Sequence, residues 1–160
     1  MNTAYTRMYI ACKQLETSIT LLISSSDFFS AITLAGAADS IFIELVRRIG
    51  KRDFASSIQE ILHQEGKNAP TLNAIRSDMN YLLGINSIKH FDQKDLDHIK
   101  INAEECAVAS ILKAMANLQL IQPNHPSYIK EMLLWCEKNL EGDQALSRFK
   151  NLTKYINNLN

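Results

Sequence analysis

Apolar residues recur at intervals of three and four along most of the chain, and this spacing predicts a protein built of helices. The first stripe, from Tyr5 to Leu22, predicts a helix over about 3–23. The tetrapeptide SSSD then interrupts the stripe and supplies N-cap candidates for a second helix over about 27–49. This second helix is apolar nearly all round and has small residues at 35–38, so we expect it in the middle of a bundle.

Shorter apolar stripes predict the remaining helices. Pro70 is expected at the first position of the fourth helix, which ends at Gly84 or continues through His90 because an interior glycine costs only ~1 kcal/mol. Few loops are long, so the pattern predicts one all-α domain over 1–160, an antiparallel bundle of four to five main helices plus shorter peripheral helices. The later helices are expected, approximately, at 53–65, 70–84 (or on to 90), 102–120 and 126–140, with a final amphipathic segment at 143–158.

Composition narrows the classes of function. Seventeen basic residues balance seventeen acidic ones, which removes any global electrostatic case for nucleic acid or an acidic membrane. The three cysteines, Cys12, Cys106 and Cys136, are widely spaced within apolar helical patterns, so we expect buried free thiols and no zinc site. No run of ~18 consecutive apolar residues occurs, which favours a cytoplasmic protein without a membrane span. No cofactor or metal is expected.

The segment 82–98, LLGINSIKHFDQKDLDH, is the first candidate site, because an apolar stripe there turns abruptly polar and charged. Asn86 and His90 are four residues apart and share a face if the segment is helical. With Lys89 they form a candidate catalytic cluster, since histidine is the common general acid or base near neutral pH. The alternative is a histidine at a helix C-terminus, stabilised there by the helix dipole.

Four stretches in this order carry a resemblance: QLETSITLL, SAITLAGAADSI, NSIKHFDQKD and EMLLWCE. Together they resemble a family of small bacterial helical proteins, which is in turn similar to the HEPN superfamily (higher eukaryotes and prokaryotes nucleotide-binding). The resemblance covers about Lys13 to Trp135. It implies a helical bundle that is often a homodimer.

The resemblance also implies a chemistry, because many HEPN domains are metal-independent ribonucleases with a motif of the form R-N-x-x-K-H. Laid on this chain, the motif places its Asn at Asn86, its Lys at Lys89 and its His at His90, but Ile85 stands where the Arg belongs. An arginine there would hold the phosphate through two parallel hydrogen bonds, which isoleucine cannot do. Lys89 or Arg76 would have to supply a substitute cation.

Two further features are candidates for a polar pocket or a nucleic-acid contact. Asp39 falls within the apolar stripe of the second helix, where a carboxylate needs a partner. Three alternatives are open for it. Its side chain faces the same pocket as His90 or Lys89, or it makes a structural hydrogen bond to a neighbouring helix, or it is exposed on a helix with a wide apolar face. A basic cluster at the end of that helix contacts phosphates or is simply a solvated terminus; it comprises Arg47, Arg48, Lys51 and Arg52.

Three functions therefore follow as expectations. The first is a HEPN-like domain with a binding or regulatory role, toward RNA or a partner protein, that lacks an intact ribonuclease motif. The second is an active metal-independent ribonuclease of toxin or defence type, in which another cation replaces the missing arginine. The third is a protein-interaction scaffold with no nucleic-acid role.

Overall fold

Helices account for most of the protein in the computed structural model, which describes residues 3–66, 68–90, 97–124 and 126–140. Within these ranges no strand occurs, so the predicted all-α bundle is confirmed. The predicted segment 143–158 lies outside the described residues. The helices are α1 (Arg7–Ser25), α2 (Phe28–Arg48), α3 (Phe54–Gln64), α4 (Leu72–Leu82), α5 (Ile85–Lys89), α6 (Ala103–Ile121) and α7 (Ser127–Asn139).

Side-chain caps mark where five of the described helices begin, namely α1, α2, α3, α4 and α6. Asp27, within SSSD, accepts a hydrogen bond from the Ser30 amide at 3.2 Å and caps α2, as the sequence predicted. The first helix begins later than predicted, because Thr6 accepts from the Tyr9 amide and terminates the extended backbone before Arg7. The expectation for Pro70 was wrong, since Thr71 caps α4 and Pro70 lies before the cap.

Glycines in the left-handed region set two boundaries. Gly50 has φ 69° and follows the end of α2, as its position beside the last basic turn predicted. Gly84 has φ 68°, so α4 ends at Leu82 and does not continue through His90. The chain instead begins a separate short helix, α5, directly after Gly84.

The main core surrounds α2, which packs along both α1 and α6. Ala31, Ala35 and Ala38 are fully buried on it, and their small size lets the neighbouring helices approach closely. At Gly36, a Cβ atom would lie 2.9 Å from Cγ2 of Ile85, so α5 rests directly on this glycine. The central position predicted for the second helix is therefore observed.

The α3–α4 hairpin, residues 53–82, has an apolar cluster of its own. Five residues make this second cluster, and none of them belongs to the main core: Ala55, Ile58, Leu62, Ile75 and Met79. The described part of the protein thus consists of a bundle of α1, α2, α5, α6 and α7, with the hairpin attached to it.

Helix α2 is also the one described helix whose length and composition would allow it to cross a membrane, with a mean hydropathy of 1.6 over its most apolar window. A helix at the centre of a bundle meets the same criteria, because it too is surrounded by apolar side chains. The finding is therefore weak evidence for a membrane span.

Candidate functional site

A buried ion pair lies between α2 and α6. The Nζ atom of Lys113 is 2.9 Å from Oδ2 of Asp39, and each side chain is 4% exposed. Because two charges so far from water lose most of their hydration, such a pair persists only when its remaining hydrogen-bonding atoms also find partners.

Two asparagines supply those partners. The Asn117 side chain donates to Oδ1 of Asp39 at 2.7 Å, and its own oxygen accepts from the Phe54 amide at 2.9 Å. Lys113 also donates to Oδ1 of Asn80 at 3.0 Å. The four side chains form a connected set, here called the polar network: Asp39, Lys113, Asn117 and Asn80. It joins α2 and α6 of the bundle to both helices of the hairpin.

A second ion pair holds the hairpin together. Arg76 on α4 donates to Oδ2 of Asp53, 2.7 Å from its terminal nitrogen, and Asp53 caps α3 by accepting from the Ser56 amide. Burial alone raises the pKa of the Asp53 carboxyl, but the hydrogen bonds from Ser56 and Arg76 and the charge of Arg76 hold it below its ordinary value. Arg76 is thereby engaged away from α5.

Lys89 lies at the edge of the polar network. Partial burial lowers its pKa most, the charge of Lys113 lowers it further, and Asp39 opposes that shift. Two predicted site residues, Asp39 and Lys89, therefore lie within electrostatic range of each other, although no ion pair joins them in the described part of the chain. Asp39 itself makes its hydrogen bonds to α6, which is the structural alternative that the sequence left open for it.

The other members of the predicted catalytic cluster are differently placed. His90 is exposed at the end of α5, where its backbone amide donates to the Asn86 carbonyl at 3.0 Å. Among the described residues its imidazole has no hydrogen-bond or ion-pair partner. Ile85 is only 4% exposed, because it packs onto Gly36. The position that the resemblance assigns to a phosphate-binding arginine is thus a core position.

The basic cluster is largely engaged in local contacts. Arg47 pairs with Glu44 one turn earlier, and Arg52 pairs with Glu60 of α3. Lys51 donates to the Leu120 carbonyl at 2.7 Å. Arg48 is exposed. Two of the four cations therefore face a carboxylate, which halves the positive charge that the cluster could offer to a phosphate backbone.

Sequence reasoning missed Lys113, Asn117 and Asn80. A usable signal was present on α6, because Lys113 and Asn117 stand four residues apart in a helix that is otherwise apolar nearly all round. Polar residues on such a helix need buried partners, and Asp39 on the equally apolar α2 is the matching carboxylate. Asn80 carried no comparable signal, since α4 has a broad polar side.

The polar network can fix the position of the helices that it joins, because its charged and polar atoms are hydrogen-bonded to one another. In the described ranges no group of three His, Cys, Asp or Glu side chains is placed to hold a metal ion. The carboxylate and the ammonium of the polar network already satisfy one another, and both are buried.

No family model, curated protein or solved structure matches the chain.

Proposed function

We propose that this protein is a HEPN-like helical domain that has no ribonuclease activity and acts by binding a protein partner, in the first instance a second copy of itself. The observation that carries the proposal is the burial of Ile85 against Gly36. A residue in that position cannot be exchanged for a phosphate-binding arginine without displacing α5 from α2.

Substitute cations do not complete the motif either. Arg76 is bound to Asp53, and Lys113 is buried against Asp39. Lys89 remains as a single ammonium beside the exposed His90, and it lacks the planar pair of donors with which arginine holds a phosphate. Loss of one well-placed donor to a transition state typically costs ~10²–10³ in rate.

The surface favours a protein partner over RNA. The chain carries no net charge, and two of the four cations in the basic cluster, Arg47 and Arg52, face carboxylates. By contrast, Leu133 and Leu134 on α7 are 50% and 64% exposed, beside a largely apolar groove of about 340 Å³ between α6 and α7. A ridge next to a groove suits a two-fold contact, in which each copy inserts its ridge into the other's groove.

Sedimentation velocity across a range of protein concentrations tests the partner. We expect a reversible dimer for the parent and a monomer for Leu134→Glu. The matched control is Ile61→Glu, which changes an exposed apolar residue of the hairpin and should leave the dimer intact. A parent that stays monomeric at all concentrations would contradict self-association.

Activity is tested on the same preparations. Single-stranded RNA incubated with the protein in EDTA should remain intact, and fluorescence anisotropy should show only weak binding that salt abolishes. RNA cleavage that disappears in a folded His90→Ala variant would overturn the proposal and identify the ribonuclease alternative. Tight RNA binding lost on Lys89→Gln, but kept on Lys130→Gln, would instead assign the binding role to RNA.

A further inference from the structure

The α3–α4 hairpin is bounded on both sides by glycines in the left-handed region. Gly50 precedes it with φ 69°, and Gly84 follows it with φ 68°. A Cβ atom at Gly50 would meet nothing within 4 Å, so backbone conformation, and not crowding, is what this position requires. Backbone rotation at a few such positions is how a hinge absorbs the movement of an attached unit.

The two helices of the hairpin are joined to each other by contacts of their own. Its apolar cluster lies between its own two helices, and the Asp53–Arg76 pair links them. Gln59 on α3 also donates to the Pro70 carbonyl before α4, at 2.7 Å. These contacts would persist if the hairpin moved as a unit.

The described hydrogen bonds that join the hairpin to the bundle all lead to α6. Asn117 accepts from the Phe54 amide, Lys113 donates to Asn80, and the Cys106 thiol lies 3.7 Å from the Leu82 carbonyl. On the bundle side, Lys113 and Asn117 keep Asp39 as a partner when the hairpin leaves. Separation would therefore expose an intact ion pair to water. Removal of either charge by mutation, in contrast, would leave the other charge buried without a counter-charge.

We propose that the α3–α4 hairpin is a hinged cover, which opens as a unit about Gly50 and Gly84 and uncovers the polar face formed by Asp39, Lys113 and Asn117. In the closed form this face is withdrawn from solvent. Any partner that binds the open form more tightly shifts the protein toward it, so the hairpin regulates access to a charged surface of the bundle.

Native-state hydrogen exchange at low urea concentrations tests whether the hairpin opens as a unit. Amides of α3 and α4 should exchange through one common opening, with a shared urea dependence and faster than the most protected amides of α2 and α6. Exchange of both hairpin helices only through global unfolding would overturn the proposal. So would separate urea dependences for α3 and α4.

Cys106 provides a second measurement, because opening at Leu82 would expose it. It is 8% exposed, and burial, then the charge of Glu105, raises the pKa of its thiol, so it reacts slowly while covered. Asn80→Ala removes one contact between cover and bundle but leaves the Asp39–Lys113 pair in place. We expect it to accelerate alkylation of Cys106 about tenfold, as loss of one hydrogen bond to a charged group implies.

The control is Asn73→Ala, the same substitution at an exposed position of α4. It brings the same change in helix propensity without touching α6, so Cys106 should react at the parental rate. Cys12, half-buried on α1, serves as an internal reference whose rate should be constant in all three proteins. Equal Cys106 rates in Asn80→Ala and Asn73→Ala would show that the hairpin is not a cover held by this contact.

Discussion

The helices of the bundle are held to one another by one kind of contact, and the hairpin is held to the bundle by another. Helix α2 meets α1 and α6 through alanines and large aliphatic side chains, which stabilise the fold in proportion to the apolar area they bury. The hairpin meets the bundle through hydrogen bonds to Lys113, one member of the buried ion pair, and to Asn117 beside that pair. Apolar attraction has no preferred direction, whereas hydrogen bonds of 2.7–3.0 Å fix the relative orientation of the groups that they join.

This difference implies different sensitivities. A buried ion pair contributes little net stability, because its attraction mainly offsets the loss of hydration, but it strongly disfavours arrangements that leave either charge alone. We therefore interpret the polar network as the feature that determines where the hairpin docks, while the apolar bundle supplies most of the stability. Substitutions in the two regions distinguish these contributions.

The largest effect is expected for Ile85→Arg, which places a charge in the apolar contact between α5 and α2. The guanidinium would be buried against Gly36 without a carboxylate, so we expect a loss of ~5 kcal/mol or more, enough to abolish folding. Ile85→Val is the control and should cost only ~0.5–1.5 kcal/mol in urea unfolding. An Ile85→Arg protein as stable as the parent would place residue 85 at the surface.

Position 85 also shows which part of the structure could not be predicted from the sequence. The helical stripes and the SSSD cap were enough to predict the bundle and the central position of α2, because apolar periodicity and capping are local signals. Alignment of a motif, however, gives residue order without burial, so it could not show that Ile85 packs on Gly36. The polar network joins residues up to 78 positions apart, and such long-range pairs leave no local signal beyond the polar residue itself.

The next largest effect is expected for Lys113→Met, which leaves the Asp39 carboxylate buried without a counter-charge. Removal of one partner from a buried pair costs ~3–5 kcal/mol, and urea unfolding should measure that loss. In Lys113→Met/Asp39→Asn the charge is gone and an oxygen remains for Asn117, so most of the loss should be recovered. Equal destabilisation in the single and double variants would mean that volume, and not charge, matters at this contact.

An intermediate effect is expected where the bundle is tightly packed. Ala35 is fully buried on α2, so Ala35→Leu should overpack the contact and cost ~1–3 kcal/mol. Ala37→Leu is the matched control, because Ala37 lies on the same helix and is only half-buried. A parental urea midpoint for Ala35→Leu would show that this face of α2 is not packed, and an equal loss in Ala37→Leu would show that the cost does not come from overpacking at the helix contact.

The smallest effect is expected within the hairpin and depends on pH. The pKa of Asp53 in the folded protein lies below its ordinary value of 3.8, because hydrogen bonds from Ser56 and Arg76 outweigh the upward effect of burial. The charged form therefore stabilises the fold at pH values above the pKa of Asp53 in the unfolded chain, and this contribution is lost as the pH falls below ~3.8 through the folded pKa.

Asp53→Asn removes the charge of this side chain and keeps a capping oxygen. The difference in unfolding free energy between parent and Asp53→Asn should thus be constant near neutral pH and shrink below pH ~4. Arg76→Gln leaves Ser56 as the remaining donor, so it should move that decline toward higher pH. A difference that does not change with pH would mean that Asp53 caps α3 without depending on its charge.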